Sequence, residues 1–398
     1  MHAIFFLCYG NDYYLMGLLI VLYCHQYLIK KNNLNDKIKL VVMCDDIIYK
    51  YKSYIEIYCD RLIKLPTVTE LHEHHTAYDS NKYGKKFMNK IVNKWHCLDY
   101  TEYDKILFSD IDILPENDMI YDIFNKYNEP FTFTCRSRIR KCTELVEYDN
   151  FPVSPYKDYY DYVENGRYHI DGGFLLVTPD KRLHKEYFDY ISTIDFTNKK
   201  SVTSEGGFDE TSLFYFLIYV KRQSFMCFDK IDQFIIPWRT EYYCDNDINK
   251  LKDDIDKKYI INYLSKVKPF IKPLPLMWPE EYIWKIIEKK IITGDKFLKC
   301  LSIRNSLYCY SLLAEHKEKS ISVVDKNKRH EIYNFTNKLY IKNKYDLFSG
   351  QSYNEIINNE DYLLSFKDTL NKFIEGIDYL NKCCGYIKFD KFKELINS

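Results

Sequence analysis

The first half of the chain alternates short apolar runs with longer amphipathic ones. Ala3 to Leu7 reads as a strand and Leu15 to Ile29 as a buried helix. Ile38 to Met43, Arg61 to Leu65 and Ile106 to Ser109 follow as strands, with helices expected over Ile47 to Cys59 and Lys85 to Leu98. Alternation of this kind predicts an α/β fold, with a mostly parallel sheet flanked by helices. Such sheets bind ligands at the carboxyl ends of their strands, where the strand order switches, so chemistry is expected just after each strand.

Past Arg136 the pattern loosens into a polar, aromatic and basic excursion to Tyr168, the kind of long loop that carries function in compact domains. Strand character returns at Gly172 to Thr178, Phe234 to Ile236 and Tyr259 to Tyr263, and helical character at Leu183 to Ile194 and Asp209 to Tyr219. Four prolines between Pro269 and Pro279 interrupt the pattern, and beyond Glu280 the chain is charged and helical. The expected division is an α/β domain over 1–279 and a mainly helical extension over 280–398. The many Lys and Glu of the extension read as solvated helix faces.

Composition narrows the classes. Lys+Arg and Asp+Glu both count 57, so no net positive field points to nucleic acid. The 13 cysteines include no CxxC pair and no compact spacing, which argues against a disulfide framework or a zinc site and for a reducing, cytoplasmic setting. The apolar run from Leu15 falls short of the ~20 residues that cross a bilayer, and no basic lead-in or small-residue cleavage site marks a signal peptide. The sequon Asn334-Phe335-Thr336 is then expected to have no glycosylation role. The abundance of Tyr, Asn, Lys and Ile with only 12 glycines suggests an AT-rich genome, that of a large DNA virus or a protist.

Lys105 to Asp112 is an apolar strand ending in Asp110 and Asp112, two carboxylates two residues apart that point the same way in extended chain. Two hard anionic oxygens suit Mn²⁺ or Mg²⁺, and such ions commonly bind phosphate oxygens with one or two protein carboxylates. A cap or a turn explains an isolated pair equally well. Four further segments accompany it. In Asn11-Asp12-Tyr13-Tyr14, amide and carboxylate groups suit a uracil edge or ribose hydroxyls and Tyr14 a stacked base; the same residues also fit a capped helix start. Ile170-Asp171-Gly172-Gly173-Phe174 carries paired glycines that permit close backbone approach or a bulge. Glu205-Gly206-Gly207-Phe208-Asp209-Glu210 offers carboxylates for an anomeric centre or a helix cap, and Asn262 to Phe270 contains Lys268-Pro269.

In this order the segments resemble glycosyltransferase family 8, the glycogenin-like family, over roughly Met1 to Phe270. The first is similar to the family's Asn-Asp-x-Tyr-x-x-Gly. Lys94-Trp95-His96-Cys97 is similar to the Lys-Leu-His-Cys run ahead of its metal-binding pair, with His96 expected as a packed helix residue. Asp171 stands where the family usually has Asn, and Glu210 replaces Gln in Asp-Gly-Gly-Asp-Gln, with one extra residue. Asn262 replaces the metal-binding His of His-Phe-Leu-Gly-x-x-Lys-Pro-Trp.

The resemblance implies a GT-A fold, which is Rossmann-like, and retaining transfer of a hexose, glucose or galactose, from a UDP-sugar. It implies Mn²⁺ or Mg²⁺ on Asp110, Asp112 and Asn262, and donor binding by Asn11, Asp12, Tyr14, Lys85, Asp110, Ile111, Asp112, Gly172, Gly173 and Lys268. Asp209, Glu210, Lys94 and Asp171 take catalytic roles in the sugar pocket. The acceptor is a protein or glycan; a tyrosine of the chain itself, as in the Tyr156 to Tyr162 cluster, is one option. The extension is open to acceptor binding, homodimer formation or bracing. A degenerate nucleotide-sugar-binding or scaffold protein is the competing expectation, raised by Asn262. A haloacid-dehalogenase-type phosphatase also uses an Asp-x-Asp, but after its first strand.

Overall fold

A computed structural model describes residues 1–65, 91–115, 118–135, 145–146, 170–193, 208–228, 233–235, 260–263, 268–272 and 281–315. Lys85, Glu205 to Gly207, Tyr156 to Tyr162 and all residues beyond 315 lie outside this set. The chain forms two compact units, Met1–Asn11 with Cys24–Gln233, and Asp12–Tyr23 with Phe234–Ser398.

The first unit is built on β1 (His2–Cys8), β2 (Ile38–Cys44), β3 (Arg61–Lys64), β4 (Ile106–Ser109), β5 (Ile113–Pro115), β6 (Phe131–Cys135), β7 (Leu145–Val146), β8 (Ile170–Val177) and β9 (Phe225–Cys227). Its eight-stranded sheet has the order β3-β2-β1-β4-β8-β6-β9-β7. Strands β1 to β4 run parallel, Ala3 opposite Ile106 and Ile38 opposite His2. Strand β8 enters antiparallel to both β4 and β6, while β9 runs parallel to β6. The result is the expected α/β class, a mostly parallel sheet with helices.

Burial explains the apolar runs. Residues 3–8 and 40–44 are buried along their whole length, as strands covered on both faces must be. Phe5, Trp95, Phe108, Phe131 and Phe133 are fully buried in one core, each such side chain stabilising by about 1.5–3 kcal/mol. The helices are α1 (Tyr14–Lys31), α2 (Asp46–Tyr49), α3 (Lys52–Ile55), α4 (Ile123–Lys126), α5 (Lys181–Thr193) and α6 (Phe208–Tyr215), the last continued as a π-helix over Phe216–Lys221. In α5 the buried residues Leu183, Tyr187 and Ile191 recur every four positions.

Two expected helices differ. The region 47–59 holds the short helices α2 and α3, each burying a single residue, Ile48 and Ile55. The described part of 85–98 is a 3₁₀ helix over Val92–Asp99. Six of its residues, Lys94 among them, are buried, so packing on several sides sets its conformation and no solvated face enforces a 3.6-residue period.

The second unit takes in the first turns of α1 and, after β10 (Gln233–Ile235), β11 (Ile260–Asn262), a 3₁₀ turn (Pro269–Ile271), α7 (Tyr282–Ile291) and α8 (Lys296–Glu315). Gly17 is required here because a Cβ would lie 2.6 Å from the ring of Phe270. Trp284 packs on Tyr263 and Phe270, and buried Lys272 pairs with buried Glu281 at 2.8 Å. Among the described residues no helix is long and apolar enough to cross a membrane. Seven described cysteines are free, whereas Cys227 is disulfide-bonded, a departure from the thiols the spacing suggested.

Candidate active site

The site of the first unit grows from a bulge. Between β6 and β8, Phe133 opposes Leu175 but Thr134 opposes Asp171, so Gly172, Gly173 and Phe174 are extra residues on β8. The bulge turns its backbone toward the end of β4. Gly173 O accepts from Asp110 N–H at 2.7 Å, and Gly172 O accepts from Lys94 Nζ at 2.9 Å. Asp171 Oδ1 accepts from Gly173 N–H at 2.9 Å. A side chain at either glycine would have to displace its neighbours. A Cβ on Gly172 would lie 2.7 Å from Asp209 Oδ2 and 3.0 Å from Lys94 Nζ, and one on Gly173 would lie 2.9 Å from Asp110 Oδ2. Close approach and bulge, alternatives in the sequence, are one feature here.

Helix α6 supplies the other wall. Asp209 and Glu210 sit in its first turn, and both side chains are buried. Asp209 Oδ2 lies 2.6 Å from Lys94 Nζ, and Glu210 Oε1 accepts from Gly172 N–H at 2.8 Å. Asp209 therefore faces the bulge as an ion-pair partner of Lys94. Its carbonyl accepts from Trp95 Nε1 at 3.2 Å and from Ser212 Oγ at 3.3 Å, which fixes the turn against the 3₁₀ helix.

Lys94, Asp110, Asp171, Asp209 and Glu210, far apart in sequence, thus gather around two glycines. Their charges are unbalanced toward the negative. Burial pushes the Asp110 carboxyl up to about 7, Asp112, Asp171 and Asp209 add repulsion, and Lys94 alone among the named causes opposes. Burial would lower the Lys94 ammonium, but Asp209, Asp110 and Glu210 outweigh it and hold the group charged. Ile111 is half-buried between the two aspartates, and Asp112 is buried. His96 is packed away from this cluster, stacked on Phe188 at 4.4 Å and 3.0 Å from a ring nitrogen of His184.

A residue that sequence reasoning missed is Asp45. One carboxylate oxygen accepts from Gly10 N–H at 2.9 Å and the other from Ile48 N–H at 3.1 Å, so it caps α2 and ties down the exit of β1. Gly10 has φ +88, a conformation that favours glycine. The signal was available as an Asp directly after a strand and before a helix. Asn11, which follows, is exposed.

The remaining expected residues belong to the second unit. Asp12 pairs with Arg304 at 2.9 Å, and Tyr14 meets Phe270 edge-on at 6.1 Å. Lys268 is half-buried, its Nζ 3.5 Å from Tyr263 O. Asn262 is buried, and its Oδ1 has no hydrogen-bond partner among the described residues.

These features fit a hard divalent cation. Within the first unit, the Asp110 carboxyl, raised by burial and by neighbouring carboxylates, is relieved by positive charge. Within the second, the orphaned Asn262 oxygen is by itself a feasible hard ligand. Among the described residues no group of three or more His, Cys, Asp or Glu is placed to hold a metal ion.

No family model matches the chain. An uncharacterized protein of Acanthamoeba polyphaga mimivirus is 23% identical over 264 residues, 66% of this chain and 80% of that protein. Similar solved structures include the galactosyltransferase LgtC in complex with donor and acceptor sugar analogs, at 13% identity and TM-score 0.41 over 67% of this chain and 89% of LgtC. Another is the glycosyltransferase GlyE of Streptococcus pneumoniae TIGR4, at 14% identity and TM-score 0.41 over 81% of this chain and 67% of GlyE. Mouse xyloside xylosyltransferase 1 follows at 9% identity and TM-score 0.39, over 66% of this chain and 97% of that enzyme.

Proposed function

We propose that this chain is a metal-dependent, retaining GT-A glycosyltransferase that moves a hexose from a UDP-sugar to a protein or glycan acceptor. The observation that carries the reading is the convergence of Lys94, Asp110, Asp171, Asp209 and Glu210 on the Gly172–Gly173 bulge at the carboxyl end of β4. The ordered motifs of the sequence supply the donor class. The similarity to a mimivirus protein agrees with a large DNA virus as the source, and the host cytoplasm is the workplace proposed with it.

The resemblance assigns the cation to Asp110 and Asp112 and, at the place of the family's His, to Asn262. Bound there, it supplies Lewis-acid stabilisation of the departing diphosphate. Lys268 donates a further hydrogen bond to that group, and Asn11, Asp12 and Tyr14 hold the nucleoside. The bulge lets the sugar lie against backbone, with Asp171 accepting from its hydroxyls. Lys94 holds the Asp209 carboxylate in place, and Asp209 and Glu210 together are the groups proposed to stabilise an oxocarbenium-like centre. The acceptor's proton passes to a phosphate oxygen of UDP, which removes the need for a protein base.

The test is UDP release from a panel of UDP-sugars, including UDP-glucose and UDP-galactose, with Mn²⁺, Mg²⁺ or chelator. Metal-dependent release from one donor is expected. The second reading, a nucleotide-sugar-binding protein without turnover, is favoured by Asn262 in the place of His, and predicts UDP binding with no release under any acceptor. Absence of UDP binding would sink both. Intact mass after incubation with the active donor tests self-glycosylation, and an unchanged mass assigns the acceptor to another molecule.

A further inference from the structure

Helix α8 grips the loop that opens α1 through three separate contacts. Arg304 Nη2 lies 2.9 Å from Asp12 Oδ2, Asn305 Nδ2 donates to Tyr13 O at 3.1 Å, and the ring of Tyr308 stacks on Tyr13 at 4.6 Å. Asp12 O in turn accepts from Leu15 N–H at 3.0 Å, so the restrained segment leads directly into the first turn of α1. Arg304 and Asp12 are both largely shielded from solvent, with side-chain exposures of 18% and 23%. At that burial their charges are screened less than a surface pair's would be.

The chemistry of the ligand gives the pairing a meaning beyond bracing. On the UDP-sugar reading, the loop receives a nucleotide whose diphosphate is strongly negative. An uncompensated Asp12 carboxylate would repel it, and the cancelled pair would not. We propose that α8 is part of the donor site and that Arg304 is a positioning residue. It fixes Asp12 and cancels its charge, so that the loop accepts a nucleoside diphosphate. The inference rests on the function proposed above and assigns a role to a segment outside the resembling region.

The experiment compares UDP and uridine binding by calorimetry to the full chain, its Arg304→Met, Arg304→Lys and Asp12→Asn variants, and the Asp12→Asn/Arg304→Met double variant. Arg304→Met is expected to weaken UDP about tenfold while changing uridine by less than about twofold, because the lost term is a charge interaction with the diphosphate. The double variant is expected to bind UDP within about threefold of Asp12→Asn alone, and Arg304→Lys within about threefold of the parent. Equal losses for UDP and uridine, or a double variant as weak as Arg304→Met, would mean that Arg304 only braces the loop and would overturn the inference. If Arg304→Met does not fold, a Lys variant that folds but loses UDP selectively overturns it too. A parent chain that binds no UDP removes the functional reading and this inference together. A parent that binds UDP beside an Arg304→Met variant that binds it equally well removes the inference alone.

Discussion

Lys94 Nζ and Asp209 Oδ2 lie 2.6 Å apart, with side-chain exposures of 2% and 1%, although 115 positions separate them in sequence. A buried ion pair is weak evidence of stability, but removing one partner strands the other charge. Lys94→Met is therefore expected to destabilise the fold by about 3–5 kcal/mol, and adding Asp209→Leu to recover most of that loss. Urea unfolding measures both. A Lys94→Met cost below about 1 kcal/mol would contradict the burial of the pair.

At Gly172 a methyl group would press on three side chains. Its Cβ would meet Asp209, Glu210 and Lys94 at 2.7, 2.9 and 3.0 Å. Gly172→Ala should cost about 1–3 kcal/mol of stability and displace the very side chains assigned to the sugar pocket. Turnover in the UDP-release assay is expected to fall at least about hundredfold in protein that remains folded by circular dichroism. Unchanged turnover would place the sugar elsewhere.

The metal set is tested in both directions. Asp112→Asn removes a hard anionic ligand and should lower turnover by about two orders of magnitude or more with the fold intact. Asn262→His substitutes a stronger transition-metal ligand and should reduce the Mn²⁺ concentration for half-maximal release by about tenfold. Near-parent activity in folded Asp112→Asn would rule out a metal role for that carboxylate, and an unmoved Mn²⁺ requirement in Asn262→His would exclude position 262 as a ligand.

Acid should weaken the first unit through its histidines. Burial lowers His25 to about 3, and burial together with His184 lowers His96 to about 4, both below the ordinary value near 6.5. The unfolded chain binds these protons first, so their contribution is complete above about pH 6.5 and is lost as pH falls toward 4. Each histidine adds a slope of up to about 1.4 kcal/mol per pH unit in that window. Urea midpoints between pH 4.5 and 7.5 measure it, and His25→Leu should flatten the profile. A midpoint that does not change with pH would refute the burial of these rings in neutral form.

Several elements were legible because their cause is local. Residues 2–8, 38–44 and 106–109 are strands where uniformly apolar runs predicted them, since a strand covered on both faces has no polar position to offer. Helix 181–193 follows its apolar spacing for the same kind of reason. The 3₁₀ geometry of 92–99 was not legible, because packing around Lys94 and Trp95 overrides periodicity.

The same division holds at the site. The sequence by itself determined the α/β class, the position of Asp110 just after a strand, and the glycine pair, because apolar burial and the lack of a Cβ act within a few residues. The strand ends at Ser109, and Ile111 and Asp112 lie in a turn closed by Ile113 N–H to Asp110 O and not in the extended chain expected. Only the tertiary structure decided that Gly172 and Gly173 form a bulge facing Lys94 and Asp110, that Asp209 is an ion-pair partner within the helix, that Asp45 anchors Gly10, and that Arg304 holds Asp12. Those relations join residues from 35 to 292 positions apart, or, at the bulge, depend on register with a neighbouring strand. Sequence spacing carries no record of such distances, because they are fixed by which buried surfaces and charges the folded chain can bring to balance.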